Sequence, residues 1–217
     1  MKNNINYGCV GLVMGSFDAL LKKGKAGKGP SPSFMRVDLA RALWILSQGE
    51  ISRKSLSQKL AVGEGSTRSI LAHFSKKGLV RITKQGCTLT NRGLGFIHAI
   101  KKSVLKVSGV RGSPITFNHP AFGIHLRALG RKLKKGLEER DEAIRAGASG
   151  ATVLMVKKGR FAFPGSESND FVRGEVAKEL KNEFNAQDGD VLILSYSHNG
   201  LSAERGAWNA AIFLMQK

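Results

Sequence analysis

Apolar positions recur at helical spacing from the start of residues 34–50. Val37, Ala40 and Trp44 share one helical face, and Leu39, Leu43 and Leu46 form a second stripe around it. A helix apolar on that much of its surface is expected to be buried on two sides, and Gly49 to end it. Ser52 is placed to cap a second helix, in which Leu56 and Leu60 lie at i, i+4 spacing. The VGEG turn follows, and its glycines suit backbone angles that other residues avoid. A third helix then runs through GEGSTRSILAHF. At about 100° per residue, Thr67, Ile70, Leu71 and Phe74 gather on one side. Gly65, Arg68, Ser69, Ala72 and Lys76 gather on the other, with His73 at the edge. Lys76-Lys77-Gly78 ends this helix. Residues 79–83 and 87–90 read as two short strands around a Lys84-Gln85-Gly86 turn. Residues 93–107 return to helical spacing, with Phe96, Ile100 and Val104 four apart.

Gly, Ser, Asn and Pro crowd the stretch SGVRGSPITFNHP, which marks a domain boundary. Beyond Pro120, residues 121–126 suit a strand and 137–146 a helix stopped by Gly147. Residues 152–156 and 160–163 suit two strands around Lys158-Gly159. A helix over 172–184, an apolar strand over 191–195 and a last helix over 201–215 complete the pattern. Helices alternating with short strands predict a small two-layer α/β sandwich, so the chain as a whole is expected to be α+β. The predicted domains are a flexible arm over 1–33, which includes GKAGKGPSPS, a helical and hairpin domain with its connecting helix over 34–109, and an α+β domain over 110–217.

Charge sharpens this division. The 217 residues carry a net charge of +19, and residues 1–110 hold 19 Lys/Arg against 4 Asp/Glu. Residues 111–217 hold 16 against 12. So lopsided an excess points to a polyanion partner for the first half, a feature that ribosomal and membrane-surface binding share. An apolar content of 41% with 24% charged residues describes a globular protein. No apolar run approaches the roughly 20 residues of a transmembrane helix. The start, MKNNINYGCVGLVMGSF, lacks the basic beginning and longer apolar run of a secretory signal. A cytoplasmic protein without membrane contact is expected. Cys9 and Cys87 form no metal-type pair and the five histidines are scattered, so neither metal nor cofactor is expected.

The segment VGEGSTRSILAHFSKKGLVRITKQGCTLTNRG resembles winged-helix transcriptional regulators, in which a similar helix, a KKGL step and an LT..G return strand recur. The resemblance implies a winged helix-turn-helix. The outer residues of its third helix contact bases, and its hairpin touches the backbone or minor groove. Carried over by position, Ser66, Arg68, Ser69 and His73 are the expected helix contacts and Lys84 and Gln85 the wing contacts. From Arg53 to Arg92 there are nine Lys/Arg and one acid, Glu64, which adds Arg53, Lys54, Lys76 and Arg92 to the same basic surface. Through ERDEAIRAGASGATVL and SAERGAWNAA, the second half is similar to the C-terminal domain of an archaeal regulator family, itself described only as a domain of unknown function. The likeness runs from the winged-helix segment through the last helix and departs at the unusually basic HLRALGRKLKKG.

Two helices of the second half set an acid and an arginine among apolar residues. Arg140 and Asp141 share a face with Leu137 and Ile144, and Glu204 and Arg205 share one with Leu201, Trp208, Ile212 and Met215. Buried charges cost several kcal/mol per ion unless paired. The pairs are therefore either an internal salt-bridge network or the lining of a ligand pocket. With Thr152 and Ser197, from the loops GASGAT and SYSHNG, they form the candidate effector site. SYSHNG is the better anion site of the two, because it leads into a helix N-terminus. No Ser or Cys nucleophile has a base at motif spacing, and the arginines beside Asp141 and Glu204 keep those carboxylates ionised, which suits binding better than proton transfer. The expectation is a non-enzymatic, sequence-specific regulator that binds double-stranded DNA as a homodimer. Its second domain is expected to sense a small-molecule effector or to dimerise. The alternatives are an RNA-binding or ribosome-associated protein, whose surface aromatic motif for stacking is missing here, and an enzyme recruited by a winged helix.

Overall fold

The computed structural model describes residues 34–165 and 170–217, and the arm expected over 1–33 lies outside them. The chain divides into two units, one ending at Lys101 and the next beginning at Lys102.

In the first unit, helices α1 (Arg36–Leu46), α2 (Arg53–Leu60) and α3 (Glu64–Lys76) precede a hairpin of β1 (Val80–Ile82) and β2 (Cys87–Leu89), and α4 (Asn91–Lys101) follows. Leu39, Leu43, Leu56, Leu60, Ile70, Leu71 and Phe74 form its buried core. Each such side chain contributes about 1.5–3 kcal/mol relative to exposure. Ser52 caps α2 by accepting the Ser55 N–H at 3.1 Å, as its position predicts. The glycines of VGEG do not make the turn. Ala61 takes the left-handed conformation (φ 50°), whereas Gly63 has φ −62° and Gly65 lies within α3. Ile51 pairs with Cys87, so the hairpin is tied to the segment before α2. One interior feature runs against the outward placement expected of charges. Asp38 and Arg41 of α1 are both fully buried, with a 2.8 Å ion pair between Oδ1 and Nη1. Arg41 Nη1 also donates to the Leu60 carbonyl at the end of α2 (3.0 Å), and Asp38 Oδ2 accepts the Met35 N–H at 2.8 Å.

The helix expected over 93–107 ends instead at Lys101. Residues Val104–Val110 form strand β3 of the second unit. The i, i+4 spacing of Phe96, Ile100 and Val104 runs on across a turn, but VLKVSGV has β-branched valine at three of its seven positions and pairs antiparallel with β4 (Ala121–Leu126). The boundary between units therefore precedes this strand rather than following it.

The second unit continues with α5 (Leu137–Arg145), β5 (Gly150–Lys157), β6 (Arg160–Ala162), α6 (Gly174–Phe184), β7 (Val191–Tyr196) and α7 (Gly200–Gln216). Its five strands form one antiparallel sheet in the order β3-β4-β7-β5-β6. Helices α5 and α7 cover one face. On the other, Leu180 and Phe184 of α6 pack with Leu154, Val156, Leu192 and Leu194. The two-layer prediction is thus corrected to three layers. The reason is visible in β7, where Val191 to Ser195 are all buried, as a strand covered on both faces must be. Close packing of α7 depends on Gly206. A Cβ there would stand 2.4 Å from Ser195 Oγ and 2.6 Å from the Ala148 Cβ. No helix among the described residues is long and apolar enough to cross a membrane.

Candidate functional site

In the first unit, the two sides of α3 separate as the spacing predicts. Thr67, Ile70, Leu71 and Phe74 are buried, while Gly65, Arg68, Ser69, Ala72 and Lys76 are exposed and His73 is half-buried. Ser69 Oγ donates back to the Gly65 carbonyl at 3.0 Å. Ser66 departs from its expected place. It is buried in the first turn of the helix, because it leads directly into the inward-facing Thr67. At the hairpin tip Lys84 and Gln85 are exposed, and Thr83 Oγ1 braces the turn by accepting the N–H groups of Gln85 and Gly86 at 3.2 and 3.1 Å. Arg53 and Lys54 are exposed at the start of α2, and Arg92 is exposed beside Gly78, at the step between α3 and β1. Arg81 and Ile82 on the outer hairpin are also exposed, and the sequence reading passed over them. Residues 34–101 expose ten Lys/Arg side chains against two acids, Glu50 and Glu64. So strong an excess of exposed positive charge attracts polyanions. Burial raises the pKa of Cys87 at the base of the hairpin, the nearby Arg53 opposing, so the thiol is a packed structural group.

In the second unit the expected effector residues lie in different environments. Arg140 and Asp141 are exposed and paired with each other at 3.0 Å. Leu137 and Ile144 beside them are 49% and 45% exposed. The face of α5 that packs inward is instead Glu139 and Ala143. Ala143 fits there because α5 lies close against α7 beside Gly206, while the buried Glu139 carboxylate is 2.6 Å from Lys217 Nζ. Glu204 and Arg205 are half-buried on α7, and the Thr152 hydroxyl donates to the Ile115 carbonyl. Ser197 is buried, its Oγ 3.4 Å from Ser149 Oγ.

The two loops nevertheless meet, and an aromatic row forms where they do. Antiparallel pairing sets Tyr196, the last residue of β7, opposite Ala121 and Gly150. Phe117 and His119 precede β4, and His198 follows β7. The Phe117 and Tyr196 ring centroids are 5.7 Å apart. His119 stacks on Tyr196 at 6.2 Å with an interplanar angle of 16°, and His198 meets His119 edge-on at 4.2 Å. Gly150 admits this arrangement, since a Cβ there would come within 2.4 Å of the Tyr196 hydroxyl. Burial raises the Tyr196 pKa, with Arg140 opposing, so the hydroxyl stays protonated. Phe117 is 71% exposed, and both it and Asn118 sit in the left-handed region (φ 50° and 59°). Conformations of that kind cost about 1–3 kcal/mol each and persist where the surroundings enforce them. Here the fully buried Thr116 enforces them. Its Oγ1 accepts the Ser113 N–H at 3.0 Å and lies 3.0 Å from the His119 carbonyl, while the Asn118 N–H reaches the Ser113 carbonyl at 2.8 Å.

Further back on the same side of the sheet lies a second unforeseen group. His125 Nε2 is 2.8 Å from Asp190 Oδ2, both residues being buried. Asp190 also accepts the N–H groups of Ala128 and Gln187, each at 2.9 Å. Among the described residues no group of three or more His, Cys, Asp or Glu is arranged to hold a metal ion.

Comparison with known proteins places the second unit. Residues 117–214 match the profile of a family described as a domain of unknown function, DUF4443. No curated protein matches the chain. Among solved structures, the chain is similar to the hypothetical protein PH0730 from Pyrococcus horikoshii OT3. The identity is 27% and the TM-score 0.69, over 84% of this chain and 93% of that one.

Proposed function

We propose that this chain, with a DUF4443 domain behind a basic helical head, is a sequence-specific regulator of transcription that binds double-stranded DNA. In this reading the first unit is a winged helix. The exposed side of α3 enters the major groove, and the hairpin tip with Lys84 and Gln85 lies against the backbone or minor groove. The observation that carries it is the clean division of α3. Its inner side anchors the core, and its outer side presents Arg68, Ser69 and Lys76 on a unit exposing ten bases against two acids. Selection of bound fragments from randomised duplex DNA, with affinities then taken across a salt series, tests it. An enriched site supports the reading, and salt-sensitive binding without enrichment overturns it in favour of a general polyanion binder. Within the enriched site, Arg68→Ala weakens binding by about 1–3 kcal/mol, with less discrimination at one base position. Equal losses on specific and random DNA would reduce Arg68 to a phosphate contact.

The second unit is proposed to pair two heads and to respond to a small ligand. The outer stripe of α5 supports pairing, because it is self-complementary. Two copies packed antiparallel about a two-fold axis between residues 140 and 141 set Leu137 against Ile144 and Arg140 against Asp141. Ile144→Glu, at a position already half in solvent, is expected to leave the fold intact and yield a monomer in analytical ultracentrifugation. A dimer of unchanged affinity would remove α5 from the interface.

A further inference from the structure

We propose that the row formed by Phe117, Tyr196, His119 and His198 is a stacking site for a nucleobase. The inference rests on the ligand-sensing role proposed above and names the chemistry of the ligand. Four rings from two separate segments converge where β4 begins and β7 ends, with neighbouring centroids 4.2–6.2 Å apart. The most exposed of them, Phe117, is held into solvent by left-handed backbone that buried hydrogen bonds of Thr116 enforce. A ring needed only for packing would be covered, and this one is 71% open.

The surroundings narrow the class of ligand. Aromatic rows also bind organic cations, but two of these four rings are imidazoles, which offer hydrogen-bonding edges where a cation site has the faces of Trp, Tyr or Phe. The imidazole edges of His119 and His198 and the hydroxyls of Ser149 and Ser197, 3.4 Å apart, supply donors and acceptors for a heterocycle edge. A planar, hydrogen-bonding ring satisfies both conditions, and a nucleotide carries such a ring. Free nucleotides and single-stranded nucleic acid both present that chemistry.

The test titrates the full chain, without duplex DNA, with fluorescent N-methylanthraniloyl derivatives of AMP, GMP, CMP and UMP, and separately with 5′-labelled eight-nucleotide homopolymers. Saturable binding by at least one probe is expected, weakened about 5- to 100-fold by Phe117→Ala and again by His198→Ala. Both positions are at the surface, and circular dichroism reports whether each variant is folded. Mononucleotide binding identifies a free nucleotide as the source, and binding of oligomers alone identifies a strand. Absence of binding by every probe, or binding indifferent to both substitutions in folded protein, overturns the site. Fragment selection is a separate measurement. A base-stacking site without an enriched operator would sink the regulator reading alone, and an operator without stacking would sink this inference alone.

Discussion

Arg41→Met lowers the stability of the first unit by about 3–5 kcal/mol, the usual cost of removing one partner from a buried ion pair. The guanidinium neutralises Asp38 inside α1 and donates to the Leu60 carbonyl where α2 ends. Methionine fills much of the volume but removes the Arg41 charge from beside the buried Asp38 carboxylate and the Arg41 donor from the Leu60 carbonyl. The two tryptophans fall one in each unit, Trp44 in α1 and Trp208 in α7, so Trp44 fluorescence in a Trp208→Phe background follows this unit through urea unfolding. A shift below about 1 kcal/mol would mean that water or rearrangement compensates the pair. Asp38→Leu combined with Arg41→Met is expected to recover most of the loss, because replacing both charges removes the desolvation cost as well.

Asp190→Ala has a comparable effect on the second unit. One carboxylate there joins three places along the chain: His125 in β4, Ala128 in the turn beyond it, and Gln187 ahead of β7. Ala128 is itself left-handed (φ 51°), so the Asp190 contact holds a turn that its own residue type disfavours. Truncation strands three donors, and the expected loss is about 3–5 kcal/mol. Trp208 fluorescence in a Trp44→Phe background reads it. Asp190→Asn keeps the shape but turns one acceptor into a donor, and is expected to fall between the two. Equal stability of Asp190→Ala and the unaltered protein would show that the carboxylate organises nothing.

What could be read from the chain alone depended on local period. The inner and outer sides of α3, the hairpin around Lys84-Gln85-Gly86 and the cap at Ser52 follow from spacing within a few residues, and all three stand in the structure. Legibility failed where distant segments decide. Val104 continues a helical rhythm, yet pairing with Leu126 makes it a strand residue. Leu137 and Ile144 look like core positions, but the close approach of α7 at Gly206 fits the side of α5 that carries Ala143 and leaves Leu137 and Ile144 outward. The pairing of Asp38 and Arg41 inside α1 could not be read either, because nothing in their neighbourhood announces the Leu60 carbonyl nineteen positions away. The aromatic row was hidden for the same reason. Phe117 and His119 meet Tyr196 only through the register that sets Ala121 opposite it, so the absence of a local aromatic motif was a poor guide to the surface.

The order β3-β4-β7-β5-β6 also sets a timetable for synthesis. The central strand is the last of the five to be made, and it meets β4 across separations like the sixty-five residues between His125 and Asp190. Until residues 191–196 emerge, β3–β4 and β5–β6 are separate two-stranded ribbons with open edges, and such ribbons are marginal in water. The first unit closes over shorter loops and ends at Lys101. On the ribosome its basic head therefore matures first, and the chain spends the remainder of its synthesis with a finished head and an unassembled sheet. Arrest of translation before Val191 would release a basic head attached to two sticky ribbons, a species for which chaperones rather than partners would compete.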